Sequence, residues 1–183
     1  MKYEAEEITL RDGRKLTIRS AEEKDAETML EYIYKIAEET HYMIRYPEEV
    51  DDDLEDEKRI INENLNDDGS VFLTVFDKDR AVGNVCVYRN RNNYKLKHRC
   101  NFAIALFQEF CGAGLGGILI DRAVKQAKEM GFEQMELGAF ADNERALALY
   151  KKMGFKEYGR LHKAFKLKDG RYIDEVCMVK ELN

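Results

Sequence analysis

The sequence predicts an α/β (α+β) fold with a mixed, mostly antiparallel central sheet flanked by helices. Three observations lead to this prediction. Apolar residues recur with the 3.6-residue period of helices over 26–37 and 54–65, and with the two-residue period of strands from Val71 onward. Short polar turns join the three strands that follow, which makes those strands antiparallel. A long helical segment then precedes a further strand, and such a crossover permits parallel pairing.

The N-terminal third of the chain contains a hairpin and two helices. Two alternating runs surround the turn AspGlyArg at 12–14, which is typical of a β-hairpin. Ser20 and Glu23 have the spacing of a capping box, so a helix should follow over 26–37. A second helix is expected from about Leu54 to Leu65, after a loop that contains the only proline.

The pattern of the remaining residues predicts strands with two helices between them. Glycines end both of these helices, the polar turns 77–80 and 89–93 join the first three strands, and LysAspGly at 168–170 closes the last hairpin. No linker or repeat divides the chain, so residues 1–183 form one expected domain, with 1–14 as a small N-terminal extension. The expected elements in chain order are strands 71–76, 81–88 and 96–107, a helix from the glycines at 111–117 to 131, strand 133–140, a helix capped by Asp142 or Asn143, and a hairpin over 155–166 and 171–180.

Composition excludes several classes of protein. The chain is 44% hydrophobic with 9 Phe and 10 Tyr, which is enough for a core despite a charged fraction of 36%. No run approaches the length of a membrane span, and the acidic start lacks the apolar region of a secretory signal. We therefore expect a cytoplasmic protein without a membrane partner. The net charge of −6 also argues against broad nucleic-acid binding.

The cysteines do not form a recognisable metal or disulfide framework. They are widely separated and have no histidine at ligand spacing, so we expect no bound metal and four reduced thiols. They are Cys86, Cys100, Cys111 and Cys177.

Charge is distributed unevenly along the sequence. Residues 1–70 carry 22 acidic and 10 basic side chains, whereas residues 71–183 carry 14 acidic and 20 basic ones. A basic half suits a polyanionic ligand, and the acidic stretch 48–57 suits a cationic amine. Solvated surfaces are the simpler explanation of the same pattern.

The segment with the clearest chemistry is a glycine-rich turn between a strand and a helix. Four of the six residues from 112 to 117 are glycine. Free backbone N–H groups and the positive end of the helix dipole meet at such a turn, and glycine lets a ligand approach the backbone closely. The turn therefore predicts a phosphate or pyrophosphate site.

Two nucleotide motifs compete for this turn. Gly112-x-Gly114-x-x-Gly117, with Glu136 further on, satisfies the dinucleotide fingerprint and would make the chain an NAD-dependent oxidoreductase. The position of the turn after three antiparallel strands weakens that alternative, because the fingerprint normally opens a doubly wound parallel sheet. A P-loop is excluded because no Lys-Ser or Lys-Thr follows the glycines.

The two strongest motifs together resemble those of the GNAT superfamily of acetyl-CoA-dependent N-acetyltransferases. Cys111-x-x-Gly114-x-Gly116 matches the superfamily's loop Q/R-x-x-G-x-G/A, and residues 141–155 resemble its second cofactor-contacting helix. The resemblance runs from about Leu16 to Met178. It implies a GNAT-like acyl-CoA N-acyltransferase fold, acetyl-CoA or coenzyme A as co-substrate, and an amine acceptor that is a small molecule, an amino acid or a peptide or protein N-terminus. A homodimer is compatible with it.

The resemblance also implies which residues hold the co-substrate. The backbone of Leu106 and Phe107 would bind the pantetheine and acetyl group, and Asn143 would bond the pantetheine arm. Cys111 stands where the superfamily has Gln or Arg, and Arg145, Lys151 or Lys152 could restore the missing charge. The complete implied set is Leu106, Phe107, Cys111, Gly112, Ala113, Gly114, Leu115, Gly116, Asn143, Ala146 and Tyr150.

Two residues are the candidate acid and base. Tyr150 would protonate the departing thiolate, the alternative being a core aromatic on the apolar helix face. The strand position where some relatives carry a Glu corresponds to Asn101, so Glu136 on the next strand is the candidate base, the alternative being a solvated strand position. Weaker candidates are Glu31, His41, His98 and a water chain.

The acceptor cleft should lie between the two N-terminal helices, their connecting loop and the C-terminal hairpin. A non-enzymatic alternative is a CoA-binding sensor or scaffold without turnover, which Asn101 and Cys111 both motivate.

Overall fold

The computed structural model describes residues 1–182 and contains one eight-stranded sheet with helices on both faces. The strands are β1 (Glu6–Thr9), β2 (Lys15–Arg19), β3 (Ser70–Asp77), β4 (Arg80–Arg89), β5 (Arg99–Leu106), β6 (Gln134–Phe140), β7 (Lys156–Lys166) and β8 (Tyr172–Glu181). The helices are α1 (Ala26–Glu39), α2 (Leu54–Asn66), α3 (Leu115–Glu129) and α4 (Glu144–Lys152).

The strand order across the sheet is β1-β2-β3-β4-β5-β6-β8-β7. Neighbouring strands are antiparallel except for β5 and β6, which are parallel and joined by α3. The predicted mixed, mostly antiparallel sheet is therefore confirmed. The predicted N-terminal extension is part of it, since β1 pairs with β2 and β2 pairs with β3.

The core lies between this sheet and the apolar faces of the helices. The α3 face that carries Leu115, Leu119 and Ala123 is fully buried against the central strands. On the opposite side, α1 buries Met29 and Ile36. This is the pattern that the 3.6-residue period of the sequence predicts, because each helix must cover one face of the sheet.

Two local predictions were wrong. Ser20 does not cap α1, because its hydroxyl donates to the Phe72 carbonyl and accepts from the Tyr3 amide, which ties the N-terminus to β3. The chain instead enters α1 through a short 3₁₀ turn, where Asp25 accepts from the Glu22 amide. The fifth strand begins at Arg99 rather than Leu96, since the preceding residues form hydrogen-bonded turns.

Two further observations concern membrane spans and metal sites. Within residues 1–182, no helix combines the length and the apolarity that a bilayer crossing requires. In the same part of the chain, His, Cys, Asp and Glu side chains form no cluster of three or more that could hold a metal ion.

Candidate active site

The parallel strands β5 and β6 separate soon after they begin. They pair only where Arg99–Asn101 meets Gln134–Glu136, yet β5 continues to Leu106 and β6 to Phe140. Because Phe107 donates to the Val82 carbonyl on β4, the alternation of an antiparallel ladder directs the amides of Ile104 and Leu106 away from β4 and into the gap. The gap therefore presents strand donors to whatever occupies it.

A cavity of about 1190 Å³ includes this gap. It extends from the N-terminus of α3, past α4, to the space beneath α1 and α2. Its walls include apolar side chains of both N-terminal helices, of the loop that joins them, and of the C-terminal hairpin. These are Met29, Ile33, Ile36, Met43, Ile60, Ile61 and Phe165.

The turn before α3 exposes a row of backbone donors. Gly112 and Gly114 have φ values of 90° and 96°, a left-handed conformation that glycine adopts without strain. Ile118 makes the first amide bond of α3, to the Gly114 carbonyl, which leaves the N–H groups of residues 115–117 without helical partners. The turn thus has the geometry of an anion site at a helix N-terminus.

The predicted set of turn amides needs one correction. The Cys111 amide donates to the Gln108 carbonyl, closing a 3₁₀ turn, so the free donors begin at Gly112. The Cys111 thiol contacts the Phe107 carbonyl, and burial raises its pKa. Cys111 therefore contributes neither a charge nor a strong donor to the turn.

Two arginines lie on either side of the glycine turn. The Arg145 guanidinium of α4 lies so close to Gly112 that a Cβ there would stand 3.4 Å from Nη2. The Arg11 side chain, from the β1–β2 turn, similarly lies 3.3 Å from a Cβ at Gly114, and its amide donates to the Ala113 carbonyl. Neither guanidinium has an ion pair within residues 1–182. Both are thus available to a bound anion.

Of the two residues predicted at the end of β5, one lines the cavity and the other does not. Leu106 lines the cavity, as predicted. Phe107 does not, because its side chain is buried, its amide donates to Val82, and its carbonyl accepts from the Phe110 amide. The Phe107 amide is therefore engaged within the fold, and the role predicted for its backbone stays a prediction that rests on the carbonyl alone.

Helix α4 brings three predicted residues to the cavity. Asn143, Ala146 and Tyr150 all line it. Asn143 is also the N-cap of α4, where its side-chain oxygen accepts from the Ala146 amide at 3.2 Å. Within residues 1–182 its side-chain NH₂ group has no partner, so it remains available to a ligand.

Tyr150 is a buried part of the cavity wall and lies among aromatic rings. It packs edge-on against Phe102 of β5 and against Phe155, with ring centroids 6.1 Å and 6.0 Å away. Burial raises the pKa of its phenol to about 12, so it is protonated at neutral pH. Within residues 1–182 its hydroxyl has no hydrogen-bond partner, which leaves the proton free for a ligand.

The structure does not bring Glu136 to this cavity. Its carboxylate accepts two hydrogen bonds from the Arg99 guanidinium at the closed end of the β5–β6 pair, and it is absent from the cavity wall. This position gives no support to the predicted role of Glu136 as the base. Among the weaker candidates, Glu31 and His98 also lie outside the wall, and His41 is bonded to Asp142 at 2.8 Å.

Three carboxylates that the sequence analysis did not single out as candidate bases line the cavity, namely Glu57, Asp121 of α3 and Glu175. Glu57 of α2 is only 7% exposed, and burial raises its pKa. Glu175 of β8 is half-buried beside the gap. The i, i+4 spacing of Glu57 and Ile61 marks Glu57 as facing the core, but no pattern indicates the direction of Glu175.

The comparisons with known proteins point to one family. The model of the acetyltransferase (GNAT) family matches residues 30–155, which include the gap, the glycine turn and α4. The chain belongs to this family. A dinucleotide-binding fold does not fit either, since it needs a mainly parallel, doubly wound sheet, and the sheet formed within residues 1–182 has a single parallel pair.

Relatives and solved structures agree with the family. N-alpha-acetyltransferase 30 of Schizosaccharomyces pombe is 26% identical over 93 residues, which are 51% of this chain and 62% of that protein. The matched part of the chain covers less than two thirds of the length of each of these curated relatives. A GNAT acetyltransferase from Streptococcus pneumoniae superposes with a TM-score of 0.84 at 24% identity, covering 91% of this chain and 99% of that one.

A second solved structure comes from a protein described with its ligand. The Salmonella typhimurium protein yncA, described with its cofactor acetyl-CoA, has a TM-score of 0.78 at 20% identity and covers 92% of this chain and 94% of that one. At these identities the two structural matches show that the fold is shared.

Proposed function

We propose that the chain is an acetyl-CoA-dependent N-acetyltransferase that transfers the acetyl group directly to a primary amine. The observation that carries the proposal is the continuity of one cavity, which connects the amides at the start of α3, the donors of the β5–β6 gap and the hydroxyl of Tyr150. The acceptor would be a small molecule, an amino acid or a peptide N-terminus.

The residues of the cavity fit coenzyme A. Its pyrophosphate carries negative charge, and the amides of residues 112–117 with Arg11 and Arg145 offer donors and positive charge on both sides of the turn. Its pantetheine arm contains two amides, which can pair with an unpartnered strand in the manner of an added β-strand. The gap amides of Ile104 and Leu106 are suited to that pairing.

The chemistry follows from the two reactants meeting in one cleft. Holding the amine next to the thioester supplies proximity, and the Leu106 amide would donate to the oxygen that becomes negative. Tyr150 would give its proton to the departing sulfur. The phenol carries its proton at neutral pH, as this role requires, because burial raises its pKa to about 12.

The acceptor would enter from the side of α1 and α2. The loop between these helices forms part of the wall on this side of the cavity. His41 of this loop is hydrogen-bonded to Asp142, and the Tyr46 hydroxyl accepts from the amide of Lys168. Apolar side chains line the entrance, and Glu57 and Glu175 add negative charge. This combination favours an amine that arrives as an ammonium ion.

A CoA-binding sensor without turnover is the second candidate function. The ion pair that removes Glu136 from the cleft favours it, since the predicted base is then missing. Both candidates bind acetyl-CoA, so binding does not separate them.

The deciding experiment is release of free thiol from acetyl-CoA in the presence of a panel of primary amines. An N-acetyltransferase releases thiol in proportion to the acetylated amine identified by mass spectrometry. Binding of acetyl-CoA without amine-dependent thiol release across the panel would favour the sensor.

A further inference from the structure

The side chain of Glu175 lies across Gly138 on the neighbouring strand. A Cβ at Gly138 would overlap Oε1 of Glu175 and stand 2.8 Å from its Cδ. The position therefore accepts only glycine while the carboxylate keeps this place. Gly138 belongs to the part of β6 that has separated from β5, so the carboxylate borders the gap.

Register places Glu175 and Tyr150 on opposite faces of the sheet. Residues that pair across neighbouring strands share a face of the sheet, and Glu175 of β8 pairs with Phe140 of β6. Glu136 lies four residues before Phe140 on the same strand, so its side chain is on that face as well. Glu136 in turn pairs with Asn101, the strand neighbour of Phe102. Because side chains alternate along a strand, Phe102 and the Tyr150 ring packed on it lie on the other face.

Glu175 is also free to act. It forms no ion pair or hydrogen bond within the described residues 1–182, although its carboxylate influences Tyr158 of β7 and Cys177 of β8 on the same face. Both of those groups are neutral at pH 7, since their pKa values are raised by burial. The charged groups further along this face, Glu136 and Arg99, neutralise each other.

We propose that Glu175 is the catalytic carboxylate that binds the acceptor's ammonium and removes its proton. This inference rests on the proposed acetyltransferase function. A thioester carbonyl held in the β5–β6 gap would have Tyr150 on one side and Glu175 on the other. The amine attacks the same carbonyl carbon that the sulfur leaves. A base on one face can therefore assist the attack of the amine while an acid on the other face assists the departure of the sulfur.

The proton balance is as follows. Glu175 takes one proton from the ammonium, and the nitrogen lone pair then forms the C–N bond while the carbonyl oxygen becomes negative. When the C–S bond breaks, its electron pair leaves with sulfur, which takes the proton of Tyr150. The second proton on nitrogen restores the phenol, and the proton on Glu175 passes to water. The products are an N-acetylated amine, free CoA thiol and one released proton.

Glu57 is less suited to this step. It belongs to α2, which packs on β3, whereas Glu175 belongs to a strand beside β6 and borders the gap itself. Glu57 is a contact for the more distant part of an acceptor.

The test compares Glu175→Gln with Glu181→Gln, a control at an exposed position of the same strand. Thiol release is measured with two acceptors of similar size, ethylamine, which is protonated at pH 7, and 2,2,2-trifluoroethylamine, which is largely neutral there. Glu175→Gln should lower kcat/KM for ethylamine about a hundredfold or more, because general-base catalysis contributes roughly 10²–10⁴-fold. It should affect the neutral amine much less, and its rate with ethylamine should rise with pH.

Several outcomes would overturn the inference without touching the proposed function. One such outcome is an active wild type and a Glu175→Gln variant with an unchanged rate. Another is an equal loss of rate with both amines, because a merely structural role would affect both acceptors alike. Gly138→Ala provides a second test with the carboxylate retained, since its Cβ must displace Glu175 and should reproduce the amine-selective loss. If the wild type binds no acetyl-CoA, the proposed function itself fails.

Discussion

Leu149 of α4 packs against Gly116 in the first turn of α3, so closely that a Cβ at Gly116 would stand 2.9 Å from Leu149 Cδ2. The contact fixes the helix that carries Tyr150 against the helix whose amides face the cavity. Gly116→Ala should therefore lower stability, because overpacking costs about 1–3 kcal/mol and the helix propensity of Ala returns roughly 1.

The same substitution should raise KM for acetyl-CoA, because α4 must move away from the turn. Thermal denaturation and thiol-release kinetics measure the two effects. Gly159→Ala is the matched control, since a Cβ there meets no atom within 4 Å. If Gly116→Ala and Gly159→Ala behave alike, the packing of Leu149 on Gly116 does not position the site.

The two arginines beside the glycine turn should contribute to acetyl-CoA affinity. A hydrogen bond to a charged group contributes about 1.5–3 kcal/mol, so Arg145→Ala and Arg11→Ala should each weaken binding roughly tenfold or more. Calorimetric titration at low and high salt should also show a smaller salt dependence in both variants. Arg59→Ala, an exposed arginine of α2 paired with Asp56 and Glu63, is the control and should bind like the wild type.

Tyr150→Phe isolates the phenol proton from the packing of the ring. The ring keeps its contacts with Phe102 and Phe155, so the melting temperature should change little. We expect kcat for thiol release to fall about a hundredfold, the lower range for loss of a general acid, with acetyl-CoA affinity retained. An unchanged kcat would show that Tyr150 is only a core aromatic.

Glu57 should carry a cost to stability that depends on pH. Burial raises its pKa, so the fold disfavours the ionised carboxylate. The penalty is complete above the folded pKa, shrinks as pH falls below it, and is gone once pH lies below the ordinary pKa of the unfolded chain. Glu57→Gln should therefore raise the melting temperature at pH 7, with the gain shrinking toward acidic pH.

The exposed Glu63 of the same helix provides the control for this prediction. Glu63→Gln should leave stability within about 0.5 kcal/mol at every pH, as is usual for surface substitutions. A gain in Glu57→Gln that is independent of pH would contradict the assigned cause.

The sequence predicted the fold well because its signals are local. Period and turn chemistry specify each helix and strand, and the glycines of the α3 turn indicate an anion site before any contact is known. The resemblance correctly implied a GNAT fold. Cys111 in place of Gln or Arg also drew attention to Arg145, which the structure places against Gly112.

The contacts that the sequence did not indicate involve groups whose partners are distant along the chain. Nothing near Glu136 indicates that Arg99 will bind it, and nothing near Phe107 indicates that Val82 will take its amide. The role of Arg11 depends on a hairpin that packs against a turn a hundred residues later. The direction of Glu175 depends on the register of β6 with β8, which a single sequence does not specify.

The central claim is that this cavity binds acetyl-CoA, and a thermal-shift titration with acetyl-CoA tests it most directly, with NAD as the parallel control. Ligand at a hundred times its dissociation constant should add roughly 2.7 kcal/mol of stability, a rise of several degrees for a domain of this size. We expect that rise with acetyl-CoA alone, and a smaller one in Arg145→Ala at the same concentration. No rise with acetyl-CoA, or a rise with NAD only, would contradict it.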